Sequence, residues 1–77
     1  MPDQDAADLE CRFTYHAPKP DQIERYAKIR ETGKTLAAFI IESCPPSRER
    51  SLALTKIEEA IMWANASIAR REPHDGK

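Results

Sequence analysis

Apolar side chains are sparse at the start of the chain and then fall into two periodic runs. Ile23, Tyr26, Ile29, Gly33, Leu36, Phe39 and Ile40 recur at three- and four-residue steps, the spacing that lays one stripe along an α-helix. Leu54, Ile57, Ile61, Ala64 and Ile68 repeat the pattern farther on. Between the runs, Cys44-Pro45-Pro46-Ser47 breaks the period. Proline cannot continue a helix, and Ser47 is a good N-cap for the segment that follows. Asp21, with Glu24 three positions on, supplies a capping box for the first run, and Arg70, Arg71 and Glu72 ahead of Pro73 end the second. The pattern predicts helices at about 21–43 and 47–71, joined so closely that they run antiparallel.

The flanks are different. Residues 1–11 are rich in Asp, Gln and Ala, with Leu9 as the one sizeable apolar side chain, which predicts a weakly ordered segment or a short helix docked elsewhere. Arg12-Phe13-Thr14-Tyr15-His16 is aromatic and extended in character, and Pro18 and Pro20 hold their neighbours out of helix. The organisation expected is an all-α antiparallel hairpin over 12–72, preceded by an arm or short helix and followed by a tail at 73–77.

Size changes this picture. A chain of 77 residues gains little from one core before conformational entropy cancels the gain, so a staple is needed. Cys11 lies in a polar stretch and Cys44 precedes two prolines, so two free thiols are expected rather than a disulfide. His16 and His74 are far apart and no C-x-x-C pair exists, so no metal or other cofactor is expected. Oligomerisation remains. The run Ala60 to Ala69 carries no charge on any face, and a hairpin partner covers only one side, so further helices should pack there. Asn65 would then be a buried polar residue of the kind that fixes register.

Net charge is −1, with Lys plus Arg 12 and Asp plus Glu 13, so no global field draws the chain to a nucleic-acid polymer. No apolar run approaches the roughly 20 residues that span a bilayer. A soluble, cytoplasmic protein with no membrane partner is expected.

Candidate chemistry is local. Thr32-Gly33-Lys34-Thr35 imitates the end of a phosphate-binding loop, but Lys28 stands where the earlier glycine is required and the stretch lies inside a helical pattern. A glycine within a helix costs on the order of 1 kcal/mol relative to alanine, so Gly33 implies close approach of another helix or of a ligand. Arg25, Lys28, Arg30 and Lys34 are interleaved with Glu24 and Glu31, as on a solvated face. With Phe13 and Tyr15 on the arm, Arg30 and Lys34 could also stack a base and clamp a phosphate of a small nucleotide. Ser47 and Ser51 have no His and Asp partners by spacing, and Glu58 and Glu59 point to different sides of a helix. Catalysis is not expected.

The run from Ser47 through Ala60, continued by Met62-Trp63-Ala64-Asn65-Ala66 and Ile68-Ala69-Arg70, resembles the helical hairpin of phage anti-CBASS cyclic-nucleotide sponges, which some anti-Thoeris sponges share. Phe13-Thr14-Tyr15-His16, Glu24-Arg25-Tyr26 and Ile29-Arg30 are similar to that family as well. The resemblance implies a compact homo-oligomer, a hexamer, that sequesters cyclic oligonucleotide messengers in the host bacterial cytoplasm without cleaving them. It implies cyclic dinucleotide contacts at Tyr15, which would stack on a base, and Arg30, which would meet phosphate, with His16 and Lys34 beside them. The family pattern has lysine where Arg30 stands, so charge is kept while geometry changes. For cyclic trinucleotides the resemblance implies a separate site around a threefold axis at Thr32, Gly33 and Arg71. The alternatives are a structural or protein-binding hairpin with no nucleotide ligand, and a small DNA-binding regulator.

Overall fold

Proline sets where the first long helix begins. In a computed structural model describing residues 3–72, a helix α2 spans Pro20–Ser43, with Pro20 at its first position and Lys19 as extended N-cap. Asp21 was expected as the cap with Glu24 as its partner. Instead, the fixed φ of Pro20 starts the helix one residue earlier, and Gln22 becomes the partner. The Lys19 N–H donates to Gln22 Oε1 at 2.9 Å, and the Gln22 N–H returns to the Lys19 carbonyl at 3.0 Å. A lysine ammonium has no acceptor, so the backbone carbonyl supplies the second half. Asp21 falls in the first turn, where its charge complements the helix dipole.

The helix α3 spans Arg48–Arg71 with Ser47 as N-cap. Ser47 Oγ accepts from the Arg50 N–H at 3.1 Å, and the Arg50 guanidinium donates to the carbonyls of Ile41 and Cys44 at 3.2 and 3.1 Å. One arginine thus satisfies carbonyls that the end of α2 leaves without helical partners.

A third helix, α1, spans Asp3–Phe13; of the weakly ordered segment and the short helix that the sequence leaves open over 1–11, the structure has the helix. Asp3 and Asp5 at its start and Arg12 at its end complement its dipole. Leu9 is still 45 % exposed and α1 buries none of its residues. The extended arm therefore starts later than expected, after Phe13. The predicted tail at 73–77, with Pro73 and His74, lies outside the described residues.

The two long helices pack against each other along a seam, where Gly33 is buried against Ile61 and Ile57. A Cβ at residue 33 would stand 2.6 Å from Ile61 Cδ1. Another helix explains this glycine. Tyr26, Ile29, Ala37 and Ile40 are half-buried beside it, yet Ile23, Leu36 and Phe39 of the same stripe remain exposed. No hydrophobic residue among those described is buried, and the molecule measures 48 × 31 × 14 Å. A helix with its side chains is about 10–12 Å across. The fold is one layer of helices with no strand among the described residues.

At the open end of the hairpin, Glu72 takes the Arg25 guanidinium in a two-pronged ion pair at 2.6 and 2.7 Å and the Gln22 amide at 2.9 Å. These contacts pull the Glu72 carboxyl down from the ordinary 4.5 to about 2, the Arg25 hydrogen bonds being the largest cause. The Arg25 guanidinium is correspondingly raised, chiefly by Glu72.

Candidate functional site

The linker between α1 and α2 folds back over the end of α3 and carries the aromatic arm with it. Two short contacts hold it there. The Cys11 thiol donates to the Arg70 carbonyl at 3.8 Å, and His16 Nε2 lies 2.9 Å from the Cys11 carbonyl, to which it donates when protonated there. Cys11 lies in the last turn of α1, whose carbonyls have no helical partners. His16, expected beside a ligand, thus caps α1 and fixes the start of the arm. Its neighbour Tyr15 is left 83 % exposed.

Tyr15 and His16 border two grooves. One, of about 820 Å³, runs between the end of α1, the linker and Arg70, and contains Glu10. The other, of about 600 Å³, lies on the hairpin face itself, bounded by Tyr15, Tyr26, Met62, Asn65 and Arg70. Continuing along the same face, a third hollow of about 340 Å³ is lined by Arg30, Lys34, Glu58 and Met62. Arg30 follows Tyr26 by one turn, about 6 Å along the axis. The four residues expected at a cyclic dinucleotide site, Tyr15, His16, Arg30 and Lys34, therefore share one face of one chain.

The second expected set is not gathered in this way. Thr32 and Gly33 line a hollow with Ile57 and Ala60 on the opposite side of the seam. The Thr32 hydroxyl donates to the Lys28 carbonyl at 2.8 Å, and Gly33 is covered by Ile61. Arg71 lies beside Trp63 and Ser67 on the outer side of α3, ten residues or about 15 Å along the helix from Ile61. Within one chain, Thr32 and Gly33 do not meet Arg71.

Four residues at the face were not among those expected: Tyr26, Met62, Asn65 and Arg70. Tyr26 and Met62 read in the sequence as core and uncharged surface. Asn65 Oδ1 is covered yet has no hydrogen-bond partner, an arrangement that costs about 1–3 kcal/mol unless a donor is supplied. Helical spacing carries the signal that finds Arg70, since Met62, Asn65, Ala66, Ala69 and Arg70 fall on one side of α3.

Cys11 and Cys44 are free thiols. Among the described residues there is no cluster of three or more His, Cys, Asp or Glu that could hold a metal, and no helix is long and apolar enough to cross a membrane.

No curated protein and no solved structure matches the chain. The family model described as Acb2/Tad1, hairpin domain, matches residues 5–69, which takes in most of α1, the arm, α2 and nearly all of α3. The chain belongs to the Acb2/Tad1 hairpin-domain family, that of the anti-CBASS and anti-Thoeris sponges.

Proposed function

We propose that this protein binds and sequesters cyclic oligonucleotide second messengers, cyclic dinucleotides such as cyclic GMP-AMP foremost, and so keeps them from CBASS effectors in the host bacterial cytoplasm. The observation that carries this reading, beside family membership, is the common face of Tyr15 and Arg30. An exposed aromatic ring offers a base its face, a contact worth about 1–3 kcal/mol. A guanidinium offers phosphate a planar fork, which holds orientation as well as charge.

Sequestration requires no bond to break. The face presents no nucleophile paired with a base, and its one carboxylate near Arg30, Glu58, is solitary. The ligand leaves the protein unaltered.

A single face is too open to hold a messenger tightly, and a homo-oligomer closes it. Exposed Met62, Trp63, Phe39 and Leu36 favour a hexamer in which copies cover one another's apolar surfaces and complete each pocket. Assembly would also bring Thr32 and Gly33 of one copy toward Arg71 of another, making a second site for a cyclic trinucleotide at a threefold axis. Near-neutral net charge disfavours capture of DNA or RNA.

Titration calorimetry with cyclic GMP-AMP and cyclic tri-adenylate tests the reading. Saturable heat is expected, with Tyr15→Ala and Arg30→Ala each weakening cyclic GMP-AMP binding at least tenfold. Absence of heat across a panel of cyclic nucleotides contradicts it, and favours a hairpin that binds protein alone.

A further inference from the structure

The groove beside Tyr15 holds a guanidinium that no carboxylate among the described residues pairs. Arg25 is committed to Glu72 and Asp21, Arg50 to the carbonyls closing α2, and Lys56 to Glu59. The Arg70 side chain makes no ion pair with any described residue, and only its backbone carbonyl is engaged, by Cys11. That anchor fixes the Arg70 backbone to α1 while leaving the side chain half-buried at the rim.

Charge distribution separates this groove from its neighbours. The hollow carrying Arg30 and Lys34 also contains Glu58, and the groove against α1 contains Glu10. The groove bounded by Tyr15, Tyr26, Asn65 and Arg70 has no carboxylate in its lining. An anion seated there meets Arg70 with no carboxylate in the same lining, Glu10 standing in the adjoining groove that Arg70 also borders. Its size, about 600 Å³, is that of a small-molecule site rather than of a single ion.

Resting on the functional reading above, we infer that Arg70 is a phosphate-binding residue of the cyclic dinucleotide site, acting from the same chain as Tyr15. Arg70 then lines the aromatic groove itself near the end of α3, and Arg30, a turn beyond Tyr26 on α2, lines the adjoining hollow that shares Met62 with it. A cyclic dinucleotide has two phosphodiesters, and the two guanidiniums provide one fork for each. Arg70 thus ties ligand affinity to the seating of α1, through the thiol that holds its carbonyl.

The test is calorimetry with cyclic GMP-AMP on wild type, Arg70→Met and Arg70→Lys, with melting temperature and assembly mass recorded for each. A charge-assisted hydrogen bond contributes about 1.5–3 kcal/mol, so Arg70→Met is expected to bind about 10- to 100-fold more weakly. Its melting temperature and mass should match wild type, and Arg70→Lys should recover part of the affinity. Wild-type binding with Arg70→Met within twofold of it overturns this assignment alone. So does lost binding accompanied by a smaller assembly, which marks Arg70 as a subunit contact. If Arg70→Met folds poorly, Arg70→Lys decides: several-fold weaker binding at an unchanged melting temperature upholds the assignment, and unchanged affinity overturns it. Wild-type protein that takes up no cyclic dinucleotide overturns the functional reading and the role of Arg70 together.

Discussion

Gly33 sits where α2 packs on α3, and an added methyl group there would overlap Ile61 Cγ1 as well as Cδ1, at 2.8 and 2.6 Å. Two effects of Gly33→Ala oppose each other. Alanine gains on the order of 1 kcal/mol as a helix former, while forcing extra volume into a packed contact costs about 1–3 kcal/mol. Because both contacts fall below 3 Å, overpacking should win, and the melting temperature of Gly33→Ala should fall. Ile61→Ala in the same chain removes the obstructing atoms, so the double variant should be destabilised by less than the sum of the singles. Additivity in thermal melts would contradict the close contact. The sequence singled out Gly33 but left helix and ligand open as causes, since a mid-helix glycine records only that something approaches. His16 shows the converse limit. The family resemblance places it beside the ligand, and it does border the groove, but its bond to the Cys11 carbonyl depends on how the linker folds, which no local pattern encodes.

Among the elements, the hairpin is fastened at both ends by polar contacts. Its closed end is readable from Pro45, Pro46 and Ser47 because turn and cap chemistry is local. Its open end joins Gln22 and Arg25 to Glu72 across 50 and 47 positions, a pairing that periodicity does not reveal. Helix α1 was likewise hard to read, since its composition is polar and its ordering rests on capping charges and the remote Cys11–Arg70 contact. Glu72 offers a direct check. Its folded carboxyl is depressed to about 2 from the ordinary 4.5, so its contribution is full above 4.5 and is lost as pH falls through about 2. Wild type should therefore melt higher than Glu72→Gln at neutral pH, and the gap should close progressively across that window. Both partners are partly solvated, at 44 % and 33 % side-chain exposure, so added salt should narrow the gap as well. A gap unaffected by pH would contradict the ion pair as its source.

At the scale of the whole molecule, the single layer of helices is the dominant fact. Its accessible surface is 6192 Å², whereas a compact monomer of 8.8 kDa has roughly 4,800 Å². Domains are ordinarily built of two packed layers around one core. The apolar stripes were legible in the sequence, but their division into a seam and a leftover surface was not, because periodicity gives the width of a stripe without saying how much one partner covers. The proposed assembly supplies the second layer. Trp63→Glu and Phe39→Glu place charge on this exposed apolar surface outside the grooves beside Tyr15 and Arg30, and at least one is expected to shift the protein to a smaller species and to abolish cyclic GMP-AMP binding with Tyr15 and Arg30 intact. A monomer that binds with wild-type affinity would separate the pocket from assembly. The most direct test of the central claim is native mass spectrometry of the purified protein with cyclic GMP-AMP. The expected result is a homo-oligomer, six chains by the proposal, carrying the messenger at its intact mass and releasing it unaltered on denaturation. A monomer without ligand, or an assembly holding only cleaved product, would contradict the account.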